Sequence, residues 1–501
     1  MTSPEGPDVR QDENEIIRVR REKLAALRQA GEDPFVRVTY PVTHTSAGIL
    51  AGFPILDGTA TSIAGRIMSR RIMGKASFAH LLDRDGLIQI YVKRDIIGEQ
   101  AYDAFKHLDI GDIIGVAGAV FRTQRGEISV QAQEITLLSK SLLPLPEKFH
   151  GLRDPDLRYR QRYLDLIMNP EVRGVFVTRS RILSAIRRYM DERGYLEVET
   201  PVLHNYATNA AARPFKTHHN TLDIDMYLRV ETELHLKRLI IGGLERVYEI
   251  GRIFRNEGMS PRHNPEFTSI EMYEAYTDYQ GMMALAEGLV TAVAKEATGG
   301  LTVTYGGELI DLTPPWKRMT MIEAVRTHTG VDFGALSTDE EARQVARDHG
   351  VAVPPEAAWG SVLNEFFEEK VEQHLIQPTF ILDYPVEVSP LAKRCPGDPR
   401  LTERFELFVT GRELGNAFTE LNDPVDQRER FIQQARDKHG DTEYDIDEDF
   451  ITAMEYGMPP TGGMGIGLDR LVMLLTDAPS IRDVLLFPTM RPEMKDGRRN
   501  E

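Results

Sequence analysis

The sequence predicts an α+β protein in which a small strand-rich domain precedes a larger domain of mixed strands and helices. Between residues 61 and 143, short runs rich in β-formers are separated by turns that contain glycine or aspartate. From residue 173 onward, runs with helical spacing alternate with runs of strand-like alternation. A chain of 501 residues is long enough to form two or more such domains.

Composition indicates a globular chain in a reducing compartment. Hydrophobic residues make up 41% of the sequence and charged residues 27%, which is typical of globular domains. The single cysteine, Cys395, excludes an internal disulfide and a cysteine-rich zinc site, and we therefore expect a cytoplasmic protein. Residues 1–15 are polar, do not resemble a signal peptide and are expected to be disordered. No apolar run approaches the ~18 residues of a membrane span, so no membrane partner is expected.

The net charge of −17 argues against non-specific binding to nucleic acid, yet the positive charge is concentrated locally. Residues 64–75 contain four basic residues and no acid, and two further arginine clusters follow at 158–162 and 179–188. Such patches on an acidic protein can select a polyanion, although solvated helix faces would have the same composition.

The N-terminal part combines a helix with a barrel. Residues 14–31 predict a charged amphipathic helix that ends at Gly31, and we assign residues 1–60 to a disordered tail and a helical extension. Five strand-like runs follow, at residues 62–71, 78–84, 87–94, 112–122 and 127–139. Five strands in about eighty residues predict a small closed β-barrel of the OB type over residues 61–143, with a small β-sandwich as the alternative. Barrels of this type commonly bind oligonucleotides.

A segment with two prolines, assigned to residues 144–172, is predicted to be a linker to a third region, 173–496. In that region Ile182, Ile186 and Met190 recur with helical spacing, and Gly194 ends the helix before a strand that runs to Pro201. Further strands are predicted at residues 247–255, 267–276 and 405–414, followed by a glycine-rich strand–turn–helix at 462–476.

The chain lacks the two commonest nucleotide-binding loops. The run GKA at 74–76 has neither the upstream glycine nor the following hydroxyl residue of a Walker loop. The run GMGIGLDR at 463–470 has the wrong glycine spacing for a dinucleotide fingerprint, and no βαβ unit follows it. A nucleotide would therefore have to be bound by other groups.

The stretch FRNEGMSPRHNPEF supplies such groups in a strand–loop–strand hairpin. Arg255 can bind a phosphate or a carboxylate through two hydrogen bonds. Glu257 can accept a hydrogen bond from an exocyclic amine, and Phe267 on the return strand offers a stacking face. Arg262 and His263 on the loop can reach the outer phosphates. The alternative is a surface hairpin held by salt bridges.

Two further clusters contain side chains that are suited to binding a ligand. Glu406, Glu413 and Glu420 recur every seven residues, and three carboxylates close together suit Mg²⁺ and an ammonium group better than a core. In the run GIGLDR, glycines allow a close approach of the backbone, and Arg470 is expected to point inward. Each cluster alone is a weak signal, but the three in this order are a strong one.

In this combination the chain resembles the class II aminoacyl-tRNA synthetases, and within them most closely the lysyl-tRNA synthetases. The runs YLEVETP, FRNEG with RHNPEFT, and GIGLDR are similar to motifs 1, 2 and 3 of that class. Runs that are specific to the lysine family are also present at residues 71–78, 158–166, 211–220 and 387–393. The resemblance covers nearly all of residues 60–492.

The resemblance implies a fold and a reaction. The fold would be an antiparallel sheet flanked by helices, preceded by an OB-fold domain that binds the anticodon. The chain would form a homodimer through motif 1. It would activate L-lysine with ATP to lysyl-adenylate and transfer lysine to the 3′ end of tRNA(Lys), with Mg²⁺ as cofactor. No nucleophilic side chain and no general base are required.

The resemblance also implies roles for individual residues. Arg255 and Arg470 would be catalytic. ATP would contact Arg255, Glu257, Arg262, His263, Asn264, Phe267 and Arg470. The amino acid would contact Glu233, Arg255, Glu271, Tyr273, Asn416, Phe418 and Glu420. Glu406 and Glu413 would hold Mg²⁺, while Phe78 and Gln89 in the barrel would stack on and read the anticodon bases.

Several positions depart from the pattern of the family, and all belong to the amino-acid pocket. Asn209 and Ala210 stand where the family has two glycines, and Ala417 replaces another glycine. The expected Ala-Pro-Glu-Leu-Tyr is Glu231 to His235, with Thr232 in place of proline as a possible helix N-cap. We expect Glu231 to point out of the pocket.

These departures leave alternatives open. The chain could be a second-copy synthetase with an altered pocket, tolerant of an inhibitor or specific for a lysine analogue. A sister enzyme for aspartate or asparagine would need a cation where this chain has Glu420. An enzyme that modifies a protein would be expected to lack the barrel. A non-catalytic tRNA-binding paralogue is disfavoured because Arg255, Glu413 and Arg470 are all present.

Overall fold

The computed structural model describes residues 7–146, 152, 154–205, 212–439 and 446–492. The chain divides into two compact units. The first comprises Met1–Pro155 with Tyr163–Pro170, and the second comprises Asp156–Arg162 with Glu171–Glu501. Asn209 and Ala210 lie outside the described residues.

The first unit opens with two helices, α1 (Pro7–Gln29) and α2 (Ser46–Leu56). Helix α1 begins within the polar stretch that we expected to be disordered, and the chain leaves it through Gly31 at a positive φ of 75°. The buried Arg20 anchors α1, because its guanidinium donates to the carbonyl oxygens of Ile110 at 3.0 Å and Leu143 at 2.8 Å.

Five strands then close into a barrel. They are β1 (Ala60–Met73), β2 (Ala76–Leu82), β3 (Leu87–Lys93), β4 (Ile113–Arg122) and β5 (Ile128–Ser139). Their order around the barrel is β1-β2-β3-β5-β4, antiparallel throughout except for β3 against β5. The predicted closed barrel of the OB type is confirmed, and the β-sandwich alternative is wrong.

Two helices that we did not predict, α3 (Arg94–Ile97) and α4 (Glu99–His107), connect β3 to β4. Helix α4 buries Tyr102 and Phe105 in the barrel core. A buried ion-pair cluster lies nearby in the same unit. Lys140 Nζ is 2.6 Å from Asp109 Oδ2 and 2.8 Å from Asp112 Oδ1.

The segment 144–172, predicted to be a linker, contains two helices, α5 (Pro155–Arg160) and α6 (Arg162–Met168). Arg162, at the start of α6, is fully buried and belongs to the second unit. Its guanidinium donates to the carbonyl oxygens of Arg482, Leu485 and Leu486 at 2.8, 3.1 and 3.1 Å. The linker prediction therefore missed an anchored segment, since proline content does not reveal the partners of an arginine.

The second unit is built on an eight-stranded sheet of order β14-β15-β16-β17-β18-β11-β10-β6, with helices packed against it. Its strands are β6 (Leu196–Glu197), β7 (Leu203–His204), β8 (Lys216–His219), β9 (Ile224–Leu228), β10 (Arg246–Phe254), β11 (Glu266–Ala275), β12 (Thr302–Tyr305), β13 (Glu308–Asp311), β14 (Lys317–Thr320), β15 (Thr379–Pro385), β16 (Leu401–Phe408), β17 (Glu413–Thr419) and β18 (Thr461–Gly467). Pairing in the large sheet is antiparallel except at β14–β15 and β10–β6. Two small sheets, β12-β13 and β7-β9-β8, complete the unit.

The helices of the second unit are α7 (Pro170–Asp191), α8 (Glu233–Ile241), α9 (Tyr279–Thr298), α10 (Met321–Thr329), α11 (Asp339–Asp348), α12 (Trp359–Lys370), α13 (Pro424–His439), α14 (Glu448–Glu455), α15 (Leu468–Thr476) and α16 (Ile481–Val484). The predicted inner face of α7 is confirmed, because Ile182, Ile186 and Met190 are fully buried in the main core. Within the described ranges, no helix combines the length and hydropathy that a membrane span needs.

Two strand predictions need correction. The strand expected to run to Pro201 is limited to β6 at the edge of the sheet, where Leu196 and Glu197 pair in register with β10 and the Val198 N–H still donates to the carbonyl oxygen of Tyr248 at 2.9 Å. Residues 405–414 form the end of β16, a turn and the start of β17. The turn is made at Thr410 and Gly411, which have φ angles of 57° and 63°.

Strand alternation gives the large sheet two different faces. On β11, Ile270 and Met272 enter the core, whereas Glu271 and Tyr273 line a cavity on the other face. On β18, Met464 enters the core and its neighbours on the cavity side are glycines. The core face holds the sheet rigid, and the other face carries the polar groups of the site.

Replacing Arg162 by Met should destabilise the second unit by about 3 kcal/mol, because buried carbonyl groups would lose charged donors. Urea unfolding followed by tryptophan fluorescence measures this directly, since Trp316 and Trp359 both lie in the second unit. The exposed Arg181 on α7 offers a matched control, for which Arg181→Met should change stability by less than about 0.5 kcal/mol. Equal unfolding midpoints for the two variants would contradict the anchoring role.

Candidate active site

The cavity on the polar face of the sheet has a volume of about 480 Å³. Most residues that the sequence nominated for ATP and amino-acid binding line it: Glu233, Arg255, Glu257, Arg262, His263, Asn264, Phe267, Glu271, Tyr273, Asn416, Phe418 and Arg470. Glu413 lines it as well. Glu406 lines two adjoining cavities of about 210 and 410 Å³.

The β10–β11 hairpin positions the groups of the FRNEG stretch. The backbone N–H of Arg255 donates to the carbonyl oxygen of Pro265 at 2.8 Å, which closes the base of the loop. Ser260 organises its tip, since its Oγ accepts from the N–H groups of Arg262 and His263 at 3.1 Å each. Sequence reasoning missed Ser260, although a serine two residues before a basic pair is a turn signal.

Two arginines face this cavity from different elements. The Arg255 guanidinium lies over the Phe267 ring at 5.3 Å and donates to the carbonyl oxygen of Val230. Arg470, in the first turn of α15, donates to the carbonyl oxygen of Glu413 at 2.5 Å and is 3.2 Å from its Oε2. Partial burial and the charge on Arg470 lower the pKa of His263, which favours a neutral imidazole.

Arg470 is positioned by its neighbour in sequence. Asp469 is buried, accepts from the backbone N–H of Thr268 at 2.8 Å and pairs with Arg179 at 2.5 Å. These contacts hold the start of α15 against β11 and α7. Neither Asp469 nor Arg179 was nominated from the sequence, because their pairing joins segments that are far apart along the chain.

The carboxylates of Glu406 and Glu413 are neighbours across β16 and β17. Burial and the charge of Glu413 raise the pKa of Glu406 to about 7. Arg404, two residues before Glu406 on the same strand face, donates to Glu406 at 2.6 Å and to Asn416 Oδ1 at 3.0 Å. Strand alternation alone could have identified Arg404, which we did not nominate.

The register of β11 against β18 separates two ends of the cavity. Ser269 pairs with Gly467, so Phe267 and the arginines Arg255, Arg262 and Arg470 cluster there, at what we call the arginine end. Tyr273 pairs with Gly463 at the opposite end of the same strands. We call this region, which includes Glu233, Glu271 and Tyr273, the acidic end.

In the acidic end, neighbouring carboxylates affect each other's pKa values. Burial and the charge of Glu233 raise the pKa of Glu271 to about 7. Glu271 accepts from the backbone N–H of Thr232 and from the Tyr273 hydroxyl, each at 3.4 Å. Burial also raises the pKa of Tyr273, so its hydroxyl remains a donor at neutral pH.

Glu420 is not among the residues that line this cavity. It is fully buried and forms an ion pair with Lys237, whose Nζ is also 2.6 Å from Glu233 Oε1. We had expected Glu420 to meet a substrate ammonium, whereas the structure gives it a partner from the chain itself. Lys237 was missed, although it stands four residues after Glu233 on α8, where the two side chains share a helix face.

The departures from the family pattern occupy different environments. Glu231 lines the cavity, so the expectation that it points outward is wrong. Thr232 stands at the N-cap of α8, but its side chain makes no capping bond. The His235 ring packs against His204 at 4.8 Å, and burial with that neighbour lowers its pKa to about 4. Ala417 is buried in the main core, away from the cavity.

In the barrel, Phe78 is part of an aromatic row. Its ring lies 5.0 Å from Tyr91, and Tyr91 lies 5.8 Å from Phe121. Gln89 already has protein partners, because its amide donates to Glu127 at 2.7 Å and accepts from Ser129 Oγ at 2.9 Å. Tyr91 and Phe121 were not nominated from the sequence.

Comparison with known proteins agrees with the division of the chain into a barrel domain and a larger domain. Residues 154–491 match the family described as tRNA synthetases class II (D, K and N), and residues 61–138 match the OB-fold nucleic acid binding domain. A lysine–tRNA ligase of Moorella thermoacetica is 60% identical over 483 residues, which cover 96% of this chain and 99% of the relative. This chain belongs to the lysine–tRNA ligase family.

Other lysine–tRNA ligases are similar over the same extent. The protein of Thermoanaerobacter pseudethanolicus is 59% identical, over 96% of this chain and 97% of its own. That of Bacillus subtilis is 57% identical, over 95% and 97%. The arginine end and the acidic end are thus found within a lysine–tRNA ligase that spans both domains of its relatives.

Replacing Glu271 by Gln should stabilise the protein above neutral pH. The folded-state pKa of Glu271, about 7, exceeds the ordinary value of 4.5, so ionisation costs stability as the pH rises from 4.5 through 7. The neutral amide avoids this cost, which can reach about 3 kcal/mol at pH 8 and shrinks towards pH 4.5. Urea unfolding across this pH range tests it, with the exposed Glu308→Gln as control. A pH-independent difference would argue against a charged, strained Glu271.

Proposed function

We propose that this protein activates L-lysine with ATP to form lysyl-adenylate and transfers lysine to the 3′ end of tRNA(Lys). The observation that carries the proposal is the division of one cavity into an arginine end and an acidic end. Anionic phosphates and a carboxylate suit the first, and a substrate with two ammonium groups suits the second. The names of the relatives as lysine–tRNA ligases support this assignment.

The charge of the acidic end argues for lysine over its sister substrates. An aspartate side chain would bring a further carboxylate towards Glu233 and Glu271, where burial and the charge of Glu233 already raise the pKa of Glu271. An asparagine side chain is neutral and would leave the negative charge unchanged. A lysine side chain adds an ammonium group, which lowers the electrostatic energy of the pocket.

In the proposed first step, a carboxylate oxygen of lysine attacks the α-phosphorus of ATP. The new bond joins this oxygen to phosphorus, the bond from phosphorus to the pyrophosphate oxygen breaks, and pyrophosphate leaves with the electron pair. Arg255 holds the carboxylate and the α-phosphate together, and Arg470 stabilises the charge that develops. Phe267 stacks on the adenine, Glu257 accepts from its amine, and Asn264 supports the hairpin.

In the proposed second step, a hydroxyl oxygen of the terminal tRNA ribose attacks the lysyl carbonyl. AMP is the leaving group, and its phosphate can take up the hydroxyl proton, so the chain need supply no base. Asn416 and Phe418 hold the amino acid in place during both steps. The contribution of the protein is orientation and fixed charge.

We further propose that Glu406 and Glu413 hold Mg²⁺ together with the ATP phosphates. Magnesium is commonly bound by one or two carboxylates plus substrate phosphates, which fits this pair. In the described part of the chain, no group of three or more ligating side chains forms a self-sufficient metal site, so the phosphates would complete the coordination. The ion would supply positive charge to the leaving pyrophosphate.

The barrel and the edge of the large sheet support two further proposals. The aromatic row that includes Phe78 offers a stacking platform for anticodon bases. Gln89 would read a base only by exchanging a protein partner. The motif 1 region exposes Leu196, Val202 and Leu203, which is consistent with a homodimer interface. We place the protein in the cytoplasm, where its proposed substrates occur.

The domain assignment that we propose keeps the boundaries predicted from the sequence, with one addition to the catalytic domain. Residues 61–143 form the anticodon-binding domain, and 173–496 form the catalytic domain. The anchoring of Arg162 supports adding residues 156–162 to the catalytic domain, whereas residues 163–170 belong to the first unit. Residues 1–60 extend the anticodon-binding unit.

Replacing Arg255 by Ala should reduce lysine-dependent ATP–pyrophosphate exchange by at least about 100-fold, because contacts to developing charge are lost. Arg252→Ala is a matched control, since Arg252 lies on β10 three residues before Arg255 and pairs only loosely with Glu266 at 3.6 Å. The control should retain nearly full exchange. Near-normal exchange in Arg255→Ala would contradict the assignment of the arginine end to the ATP phosphates and the lysine carboxylate.

Replacing Phe78 by Ala should weaken tRNA charging by about 1–3 kcal/mol, the usual value of one base–aromatic stack. Exchange without tRNA should not change, because Phe78 belongs to the barrel unit. Phe35→Ala, an exposed aromatic of the same unit, is the control and should leave charging unchanged. If exchange falls together with charging, Phe78 supports folding and the anticodon role is wrong.

A further inference from the structure

Lys237 places a buried ammonium group directly behind the acidic end of the cavity. Its Nζ is 2.6 Å from Glu233 Oε1, forms an ion pair with Glu420 Oε2 and lies 5.4 Å from the centroid of the Phe418 ring. The side chains of Lys237 and Glu420 are both 0% exposed. A doubly paired ammonium of this kind has no access to solvent, so its role must be exerted through the carboxylates.

Lys237 stands one layer behind the cavity wall. Glu233 and Phe418 line the cavity, whereas Lys237 and Glu420 do not. A Cβ added at Gly463, which lines the cavity, would overlap both Glu420 Oε1 and the Tyr273 ring. The absence of a side chain at Gly463 therefore leaves the space that Glu420 Oε1 occupies beside Tyr273, which also lines the cavity.

Glu420 is paired but not fully satisfied. Lys237 Nζ forms an ion pair with its Oε2, yet neither carboxylate oxygen has a well-formed hydrogen bond among the described residues. A buried carboxylate oxygen without a donor is costly, and such an atom is a candidate for a ligand contact. The ammonium of Lys237 thus balances the charge of Glu420 but leaves Oε1, which lies against Gly463, without a donor.

We propose that Lys237 is a positioning residue for the substrate, and that it orients Glu233 and Glu420 as a carboxylate cage for two ammonium groups. One ammonium group is the resident Nζ of Lys237, and the other belongs to substrate lysine. This inference rests on the proposed function and adds a specificity determinant to it. The α8 helix fixes the geometry, because Glu233 and Lys237 lie one turn apart on it.

The charges of the cage explain why a resident cation is needed. Burial opposes the charge of Lys237, but Glu233 and Glu420 raise its pKa overall, so it stays protonated. Burial raises the pKa of Glu420, Lys237 counteracts this, and Glu233 and Glu271 add to the rise. The titratable groups that face Glu420 are therefore Lys237 and Glu233 on α8 and Glu271 and Tyr273 on β11. Without Lys237, Glu420 would ionise only at higher pH.

The test is lysine-dependent ATP–pyrophosphate exchange by the full chain carrying Lys237→Met, with L-lysine and ATP titrated separately at pH 7 and pH 9. We expect the KM for lysine at pH 7 to rise about 100-fold, since one partner of a buried pair is removed, while the KM for ATP changes little. The lysine KM of the variant should fall from pH 7 to pH 9 relative to wild type, because a higher pH favours the charged form of Glu420.

Lys140→Met is the matched control. Lys140 is equally buried and doubly paired, with Asp109 and Asp112, but it lies in the barrel unit. Its loss should leave the KM for lysine and the KM for ATP within about twofold of wild type. Lys237→Arg keeps the charge at the same place, and it should recover at least part of the lysine KM that Lys237→Met loses.

The outcomes separate this inference from the proposed function. If wild type shows no lysine-dependent exchange, the proposed function fails. If wild type is active but Lys237→Met has an unchanged lysine KM, or raises both KM values equally at both pH values, the positioning role is overturned. Should Lys237→Met not fold, Lys237→Arg decides: a selective change in the lysine KM with a normal ATP KM supports the cage, and no selective change rejects it.

Discussion

The burial of several carboxylates at one end of a single cavity is the constraint on which the rest of this structure depends. Glu233 and Glu271 line this end and Glu420 is buried beside it, and burial together with the repulsion between these carboxylates raises the pKa values of Glu271 and Glu420. Such repulsion destabilises a fold, and it persists only where a rigid scaffold prevents the groups from separating. Under the proposed function, an ammonium group of the substrate would relieve this repulsion.

The scaffold that holds these groups is a sheet with two unlike faces. Alternation along β11 sends Ile270 and Met272 into the core and Glu271 and Tyr273 into the cavity. A one-residue slip in register would exchange the two sets, so the core packing also fixes the polar groups. Glycines on the cavity face of β18 complete the arrangement, since Gly463 leaves room for both Glu420 and Tyr273.

Local signals in the sequence were enough to predict much of the fold and part of the site. The five barrel strands, the inner face of α7 and the strand–turn–helix at 462–476 follow from alternation, helical spacing and glycine positions. The FRNEG stretch supplied Arg255, Arg262 and Phe267 of the arginine end, because the antiparallel pairing of β10 with β11 brings its two arms together. Helices α3 and α4 were missed, since α4 depends on the barrel core that receives Tyr102 and Phe105.

The sequence by itself determined the fold class and the family resemblance, because both are written in short-range patterns of spacing and residue type, and the resemblance in turn implied many of the residues that line the cavity. Only the tertiary structure decided which of those residues have partners within the chain. It paired Glu420 with Lys237, directed Glu231 into the cavity and buried Arg162 against distant carbonyl groups. The physical reason is that charge neutralisation acts through space, between segments whose separation along the chain carries no information about their contact.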